Sequence, residues 1–138
     1  MVTPITDIMT SDPTTVDLRD PVSDALRAFE SAPYHHLIVM DGAEPVGMVS
    51  TTDVLRVLHE LDEVPGRSFR EYIDQQYTID DLMTPELHSI PITGTVRDAA
   101  ISLSPGTYHS VAVLDGRRLA GIITTTDLAR YLAALGDD

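Results

Sequence analysis

The sequence predicts an α/β fold built from two copies of one small unit. Each copy is a small mixed sheet packed by two helices, and a pseudo-two-fold axis relates the pair. Three observations carry this expectation. The chain repeats itself at one offset; helical and strand periodicities alternate in the same order in both copies; and 43% of the 138 residues are hydrophobic, enough to bury a core.

Shifted by 74 positions, residues 5–58 lie on residues 79–132 without a gap. Ile5-Thr6-Asp7-Ile8-Met9-Thr10 falls on Ile79-Asp80-Asp81-Leu82-Met83-Thr84, Tyr34-His35 on Tyr108-His109, and Asp41-Gly42 on Asp115-Gly116. Gly47-Met48-Val49-Ser50-Thr51-Thr52-Asp53 falls on Gly121-Ile122-Ile123-Thr124-Thr125-Thr126-Asp127. Chance does not hold one offset across four motifs.

After an extended lead-in, Asp20-Pro21 reads as an N-cap followed by proline at the first helical position. Val22, Ala25, Leu26 and Phe29 then recur at the spacing of a packed helix, and Val96, Ala99, Ala100 and Leu103 repeat that stripe. The short apolar runs 37–40 and 111–114 predict buried strands. Asp-Gly turns lead back into second strands over 46–50 and 119–124. A second helix opens near Thr51 and Thr125, with Val54, Val57, Leu58 and Leu61 on one face and Leu128, Tyr131, Leu132 and Leu135 in its counterpart. The repeats take residues 1–62 and 77–138. The linker is 63–76, where Pro65-Gly66 breaks the chain and residues 68–76 form a short helix.

Composition narrows the function classes. Twenty-two acidic residues against nine basic ones give a net charge of −13, which repels polyphosphate backbones and excludes general nucleic-acid binding. Sixteen of the acids are aspartate, and every basic residue is arginine. Such an Asp-rich, Lys-free surface resembles that of proteins from salt-in halophilic archaea, where a Debye length of about 3 Å at molar salt screens self-repulsion. With no cysteine there are no disulfides or thiolate metal sites. No segment reads as a signal peptide or membrane span, so a cytoplasmic protein is expected, with no membrane partner.

The order D-h-M-T, amphipathic helix, h-x-V-h-D-G and G-h-h-[ST]-x-x-D-h (h, apolar) resembles the CBS domain, twice, over nearly the whole chain. That resemblance implies a Bateman module, in which clefts between paired repeats bind adenosyl ligands such as AMP, ADP, ATP or S-adenosylmethionine.

The residues themselves suit such a ligand. Ser50 and Thr124 end a strand where the N-cap of the next helix falls, and exposed amides with the helix dipole favour an anion there. Thr52 and Thr126 add hydroxyl donors, and Asp53 and Asp127 offer carboxylates to a vicinal diol such as that of ribose. Gly47 and Gly121 let backbones come close. Plain helix capping accounts for the same Ser/Thr-x-x-Asp pattern; its recurrence at one offset within a CBS-like pattern favours ligand contact at one site or both.

The resemblance carries the ribose role onto Asp53 and Asp127 and the phosphate side onto Ser50 and Thr124. It puts adenine against the lead-in strands, here Thr15-Val16 and Ser89-Ile90. His35 and His109 stand where family members place a basic residue near phosphate; surface or packing roles account for them equally. Arg117-Arg118 puts positive charge near one mouth or marks an exposed turn. No carboxylate stands at helical ligand spacing from the histidines, so no metal site is expected.

No nucleophile–base–orienter set, GxSxG elbow or P-loop appears, and no enzyme activity or cofactor is expected. Two functions remain: a nucleotide-sensing regulatory module, or a ligand-free module that dimerises or docks onto a partner protein. The apolar terminal helix, with the resemblance, implies a homodimer acting on a separate effector protein.

Overall fold

A computed structural model of the chain describes residues 2–31, 36–60, 69–85 and 87–135. Its elements alternate in the expected order. The first half holds a 3-10 turn (Ile5–Asp7), β1 (Thr10–Ser11), β2 (Thr15–Asp17), α1 (Val22–Ser31), β3 (His36–Asp41), β4 (Glu44–Ser50) and α2 (Thr51–Glu60). Two helices follow, α3 (Phe69–Gln76) and α4 (Ile79–Leu82). The second half holds β5 (Ser89–Pro91), α5 (Val96–Leu103), β6 (Ser110–Asp115), β7 (Arg118–Thr124) and α6 (Thr125–Ala134). The chain divides into two compact units, Thr14–Glu86 and Met1–Pro13 with Leu87–Asp138.

In the unit Thr14–Glu86 the strands lie in the order β2-β3-β4, the first pair parallel and the second an antiparallel hairpin. Gly42 turns that hairpin at φ +64°, a left-handed conformation open to glycine at no steric cost. β4 begins two residues earlier than its apolar run, because Pro45 sits beside an irregularity in register between Val39 and Met40, where a missing amide is tolerated. Val16, Leu37, Val39 and Val49 from the sheet meet Val22 and Ala25 of α1, Val54 and Val57 of α2, and Ile73 of α3 in one apolar cluster.

The start of α1 corrects the sequence reading. The Asp20 carboxylate accepts from the Asp17 amide instead of capping the helix. Asp74 of α3 supplies the acceptors, at 2.8 Å from the Ser23 amide and 2.6 Å from its hydroxyl. The connecting helix is thereby pinned to α1 as well as buried through Ile73.

The other unit has a four-stranded sheet, β1-β7-β6-β5, over a cluster of Ile5, Ala99, Leu103, Val111, Val113 and Ile123. Here α5 is capped locally, with Thr95 accepting from the Asp98 amide and Asp98 from the Thr95 amide. α6 contributes no buried residue: Leu128 packs against the cluster, while Leu132 and Leu135 are 66% and 56% exposed.

Each lead-in segment completes the sheet of the opposite repeat. Thr10 pairs with Ile122 on β7, and Thr84, its counterpart, pairs with Met48 on β4. A Cβ on Gly121 would stand 2.6 Å from the Thr10 carbonyl oxygen, and one on Gly47 2.7 Å from that of Thr84. The two glycines thus admit the chain's own lead-in backbone. Ile5 and Ile79 of these segments are fully buried in the cluster they join.

Candidate functional site

Register gathers the candidate residues at one end of each sheet. Ser50, last in β4, lies opposite His36, first in β3, and α2 starts at the next residue. Thr124, last in β7, lies opposite Ser110, first in β6, and α6 follows. β2 and β5 also begin at these ends, bringing Thr15 and Ser89 there.

Both Ser/Thr-x-x-Asp motifs form reciprocal capping boxes. The Ser50 amide donates to Asp53 Oδ2 at 2.8 Å and its hydroxyl to the same oxygen at 3.0 Å, while the Asp53 amide donates to Ser50 Oγ at 3.2 Å. Thr124 and Asp127 repeat this at 2.9, 3.1 and 3.2 Å. Thr78–Asp81 and Thr95–Asp98 build the same box at α4 and α5, so capping alone gives no reason for a ligand. Burial separates the pairs: the Asp53 and Asp127 side chains are each 11% exposed, whereas Asp81 and Asp98 lie in the open. Their second oxygens stay outside the box. Asp53 Oδ1 faces Arg56 Nη1 at 3.4 Å and Asp127 Oδ1 faces Arg130 Nη1 at 3.9 Å, both arginines being exposed.

The other predicted positions divide. Thr52 and Thr126 are exposed in the first turns of α2 and α6. Thr15 and Ser89 are exposed, but the Val16 side chain is spent in the core and Ile90 packs against the other cluster, leaving only main chain for a base. His109 is exposed, and its carbonyl accepts the Thr125 amide at 3.0 Å, occupying a donor that an anion would otherwise use. His35 lies outside the described residues. Arg117 lies in the β6–β7 turn and Arg118 opens β7, both exposed and at the sheet end opposite Thr124.

Among the described residues, one carboxylate held away from its ordinary range lies outside this region. The Arg19 amide, helped by the Gly42 amide and the Arg19 guanidinium, holds the Asp17 carboxyl below its ordinary range against a smaller opposing effect of burial. Arg19 bridges Asp17 and Asp41 at 3.1 and 3.0 Å beside the β3–β4 hairpin. Among the described residues no group of three or more His, Asp or Glu is placed to hold a metal, and no helix is long and apolar enough to cross a membrane.

The CBS-domain family model matches residues 5–60 and again 79–134. The chain is a pair of CBS domains. A CBS-pair structure, CBSX2 in complex with AMP, is 26% identical, covers 98% of this chain and 99% of its own, and superposes with a TM-score of 0.79. The CBS domain pair of protein MJ0100, in complex with 5-methylthioadenosine and S-adenosyl-L-methionine, is 22% identical over 98% and 99% of the two chains, with a TM-score of 0.80. A protein from Methanocaldococcus jannaschii, MJ1404, is 27% identical over 137 residues; the chain spans about a third (32%) of that relative's length.

Within this CBS pair, sequence reasoning passed over several residues that lie at the sheet ends. Arg56 and Arg130 share the 74-residue offset and sit three residues after each aspartate, a helix-face spacing that would have flagged them. His88, just before β5, stacks on Tyr108 with ring centroids 3.7 Å apart and planes 3° from parallel. Tyr108 in turn shares a hydrogen bond with Ser102 of α5 at 3.0 Å. Contacts between residues this far apart in sequence leave no periodic signal.

Proposed function

We propose that this CBS pair is a regulatory module binding an adenosine-containing ligand of the AMP, ADP, ATP or S-adenosylmethionine type at its two sheet ends. The observation that carries the reading is the paired burial of Asp53 and Asp127, each with one oxygen outside its capping box and bordered by a mobile-length arginine side chain. That oxygen accepts the ribose diol. Ser50, Thr52, Thr124 and Thr126 line the phosphate side with Arg56 and Arg130; Thr15, Ser89 and the main chain of Val16 and Ile90 line the base, with His109 at the flank. The AMP complex of CBSX2 supports the ligand class. The module catalyses nothing itself; it is a cytoplasmic homodimer from a salt-rich interior, and ligand occupancy is read by a separate effector protein.

Titration calorimetry with AMP tests this. Charge-assisted hydrogen bonds contribute roughly 1.5–3 kcal/mol each, so Asp53→Asn and Asp127→Asn should each weaken one site at least about tenfold. The double variant should lose binding while staying folded. A double variant that binds like wild type refutes the ribose role. The second reading, a ligand-free interaction module, draws on the same boxes, since capping already occupies both motifs. Wild type that binds no adenosyl compound would establish it instead.

A further inference from the structure

The two sheet ends differ at two matched positions whose residues build a brace at one end. In the unit containing β5–β7, His88 stacks on Tyr108, and Tyr108 meets the Ser102 hydroxyl. The pile is anchored on every side. Tyr108 packs against the apolar cluster, the His88 carbonyl accepts the Ala112 amide at 2.9 Å, and Ser102 belongs to α5. Tyr108 leads directly into His109, whose carbonyl holds the first amide of α6 at Thr125. The first turn of α6 carries Asp127. A continuous path of contacts thus runs from the lead-in strand through the ring stack to the turn bearing the candidate ribose carboxylate.

At the 74-residue offset the other repeat has Thr14 for His88 and Ala28 for Ser102. Threonine cannot stack and alanine has no hydroxyl, so these two residues cannot supply the ring or the hydroxyl that His88 and Ser102 supply; Tyr34 itself lies outside the described residues. The tyrosine is common to both sequences; the residues at these two matched positions differ.

We infer that His88 and Ser102 are positioning residues that pre-organise the Thr124–Asp127 end, making it the tighter of two unequal adenosyl sites. This rests on the nucleotide reading given above. An end whose loop is already fixed spends less of its binding energy on ordering side chains. An aromatic pair and a neutral hydrogen bond each correspond to about two- to tenfold in an equilibrium constant.

AMP titration of wild type should resolve two sites differing at least about fivefold. Asp127→Asn should remove the tighter and Asp53→Asn the weaker. The variant His88→Thr/Ser102→Ala, which gives this end the partners found at the other, should weaken the tighter site about five- to tenfold and leave the weaker site unchanged. That unchanged site is the internal control that a general loss of folding would not spare. His88→Phe, which keeps a stacking ring, should retain tight binding. Two equal sites in wild type, or a His88→Thr/Ser102→Ala variant that shifts both sites or neither, overturns the inference while the nucleotide reading stands. A wild type that binds no AMP at any site overturns both.

Discussion

Replacing Gly47 by alanine should loosen the edge of β4 in a way that can be measured locally. The new Cβ would stand 2.8 Å from Met83 Sδ and 2.7 Å from the Thr84 carbonyl oxygen. A thioether can swing aside. The carbonyl cannot, because Thr84 exchanges two backbone hydrogen bonds with Met48, at 2.8 and 3.2 Å. Overpacking of this kind costs about 1–3 kcal/mol, and two weakened backbone bonds at about 1 kcal/mol each give the same size. A loss near 2 kcal/mol should lower the melting temperature by roughly 5–10 °C for a chain of this length. Urea unfolding gives the free energy, and amide hydrogen exchange at Met48 and Thr84 reports the site. Gly42→Ala is the comparison: it has open space around it but a φ of +64°, so it should lose stability through backbone strain while protection at Met48 and Thr84 persists. Gly47→Ala with stability within about 0.5 kcal/mol of wild type and unchanged exchange would refute the close-approach argument.

Asp74→Ala should cost about 2–3 kcal/mol in urea unfolding, since it strands the amide and hydroxyl of buried Ser23; a loss below about 0.5 kcal/mol would mean that α3 does not cap α1. Melting temperature should rise from dilute buffer to molar KCl, because salt screens the repulsion within a chain of net charge −13; a flat or falling trend removes the halophile reading. The Asp17 carboxyl is depressed in the folded state, so its contribution is present above the ordinary carboxylate range and is lost as pH falls through the folded value. The stability gap between wild type and Asp17→Asn should therefore narrow progressively as pH falls below about 4, and a gap that stays constant as pH falls further contradicts it. Light scattering should give a dimer for wild type and a monomer for Leu132→Glu/Leu135→Glu; a monomeric wild type refutes the proposed homodimer.

The repeat was legible because each copy buries the same positions. Ala25 and Ala99, Leu37 and Val111, and Val49 and Ile123 occupy matched places in the two clusters. The hairpin glycines and the strand-to-helix junctions were legible for the same reason, as local chemistry dictates them. What could not be read was pairing between distant segments. Nothing in Met9-Thr10 says which sheet edge it will meet, so the exchange of lead-ins was invisible, and so was the true meaning of Gly47 and Gly121. Asp74 gives no hint from its own helix that it serves another. At the candidate site, spacing identified the carboxylates, but it could not separate the buried boxes at Asp53 and Asp127 from the exposed ones at Asp81 and Asp98.

The exchanged lead-ins also bear on how such a chain came to be. A single repeat, such as residues 5–58 alone, keeps an isoleucine and a short strand that have no place in its own sheet, and lacks the ones that its glycine-floored edge accepts. Its self-consistent form is a swapped pair of molecules, each lending its first residues to the other. Joining two copies in one polypeptide turns that bimolecular loan into an internal one, at an effective concentration on the order of millimolar set by the connecting segment. Gene duplication then secures the fold before it confers any second binding site. Once the copies no longer need to be identical, substitutions such as Thr14 against His88 can accumulate at one end without disturbing the other.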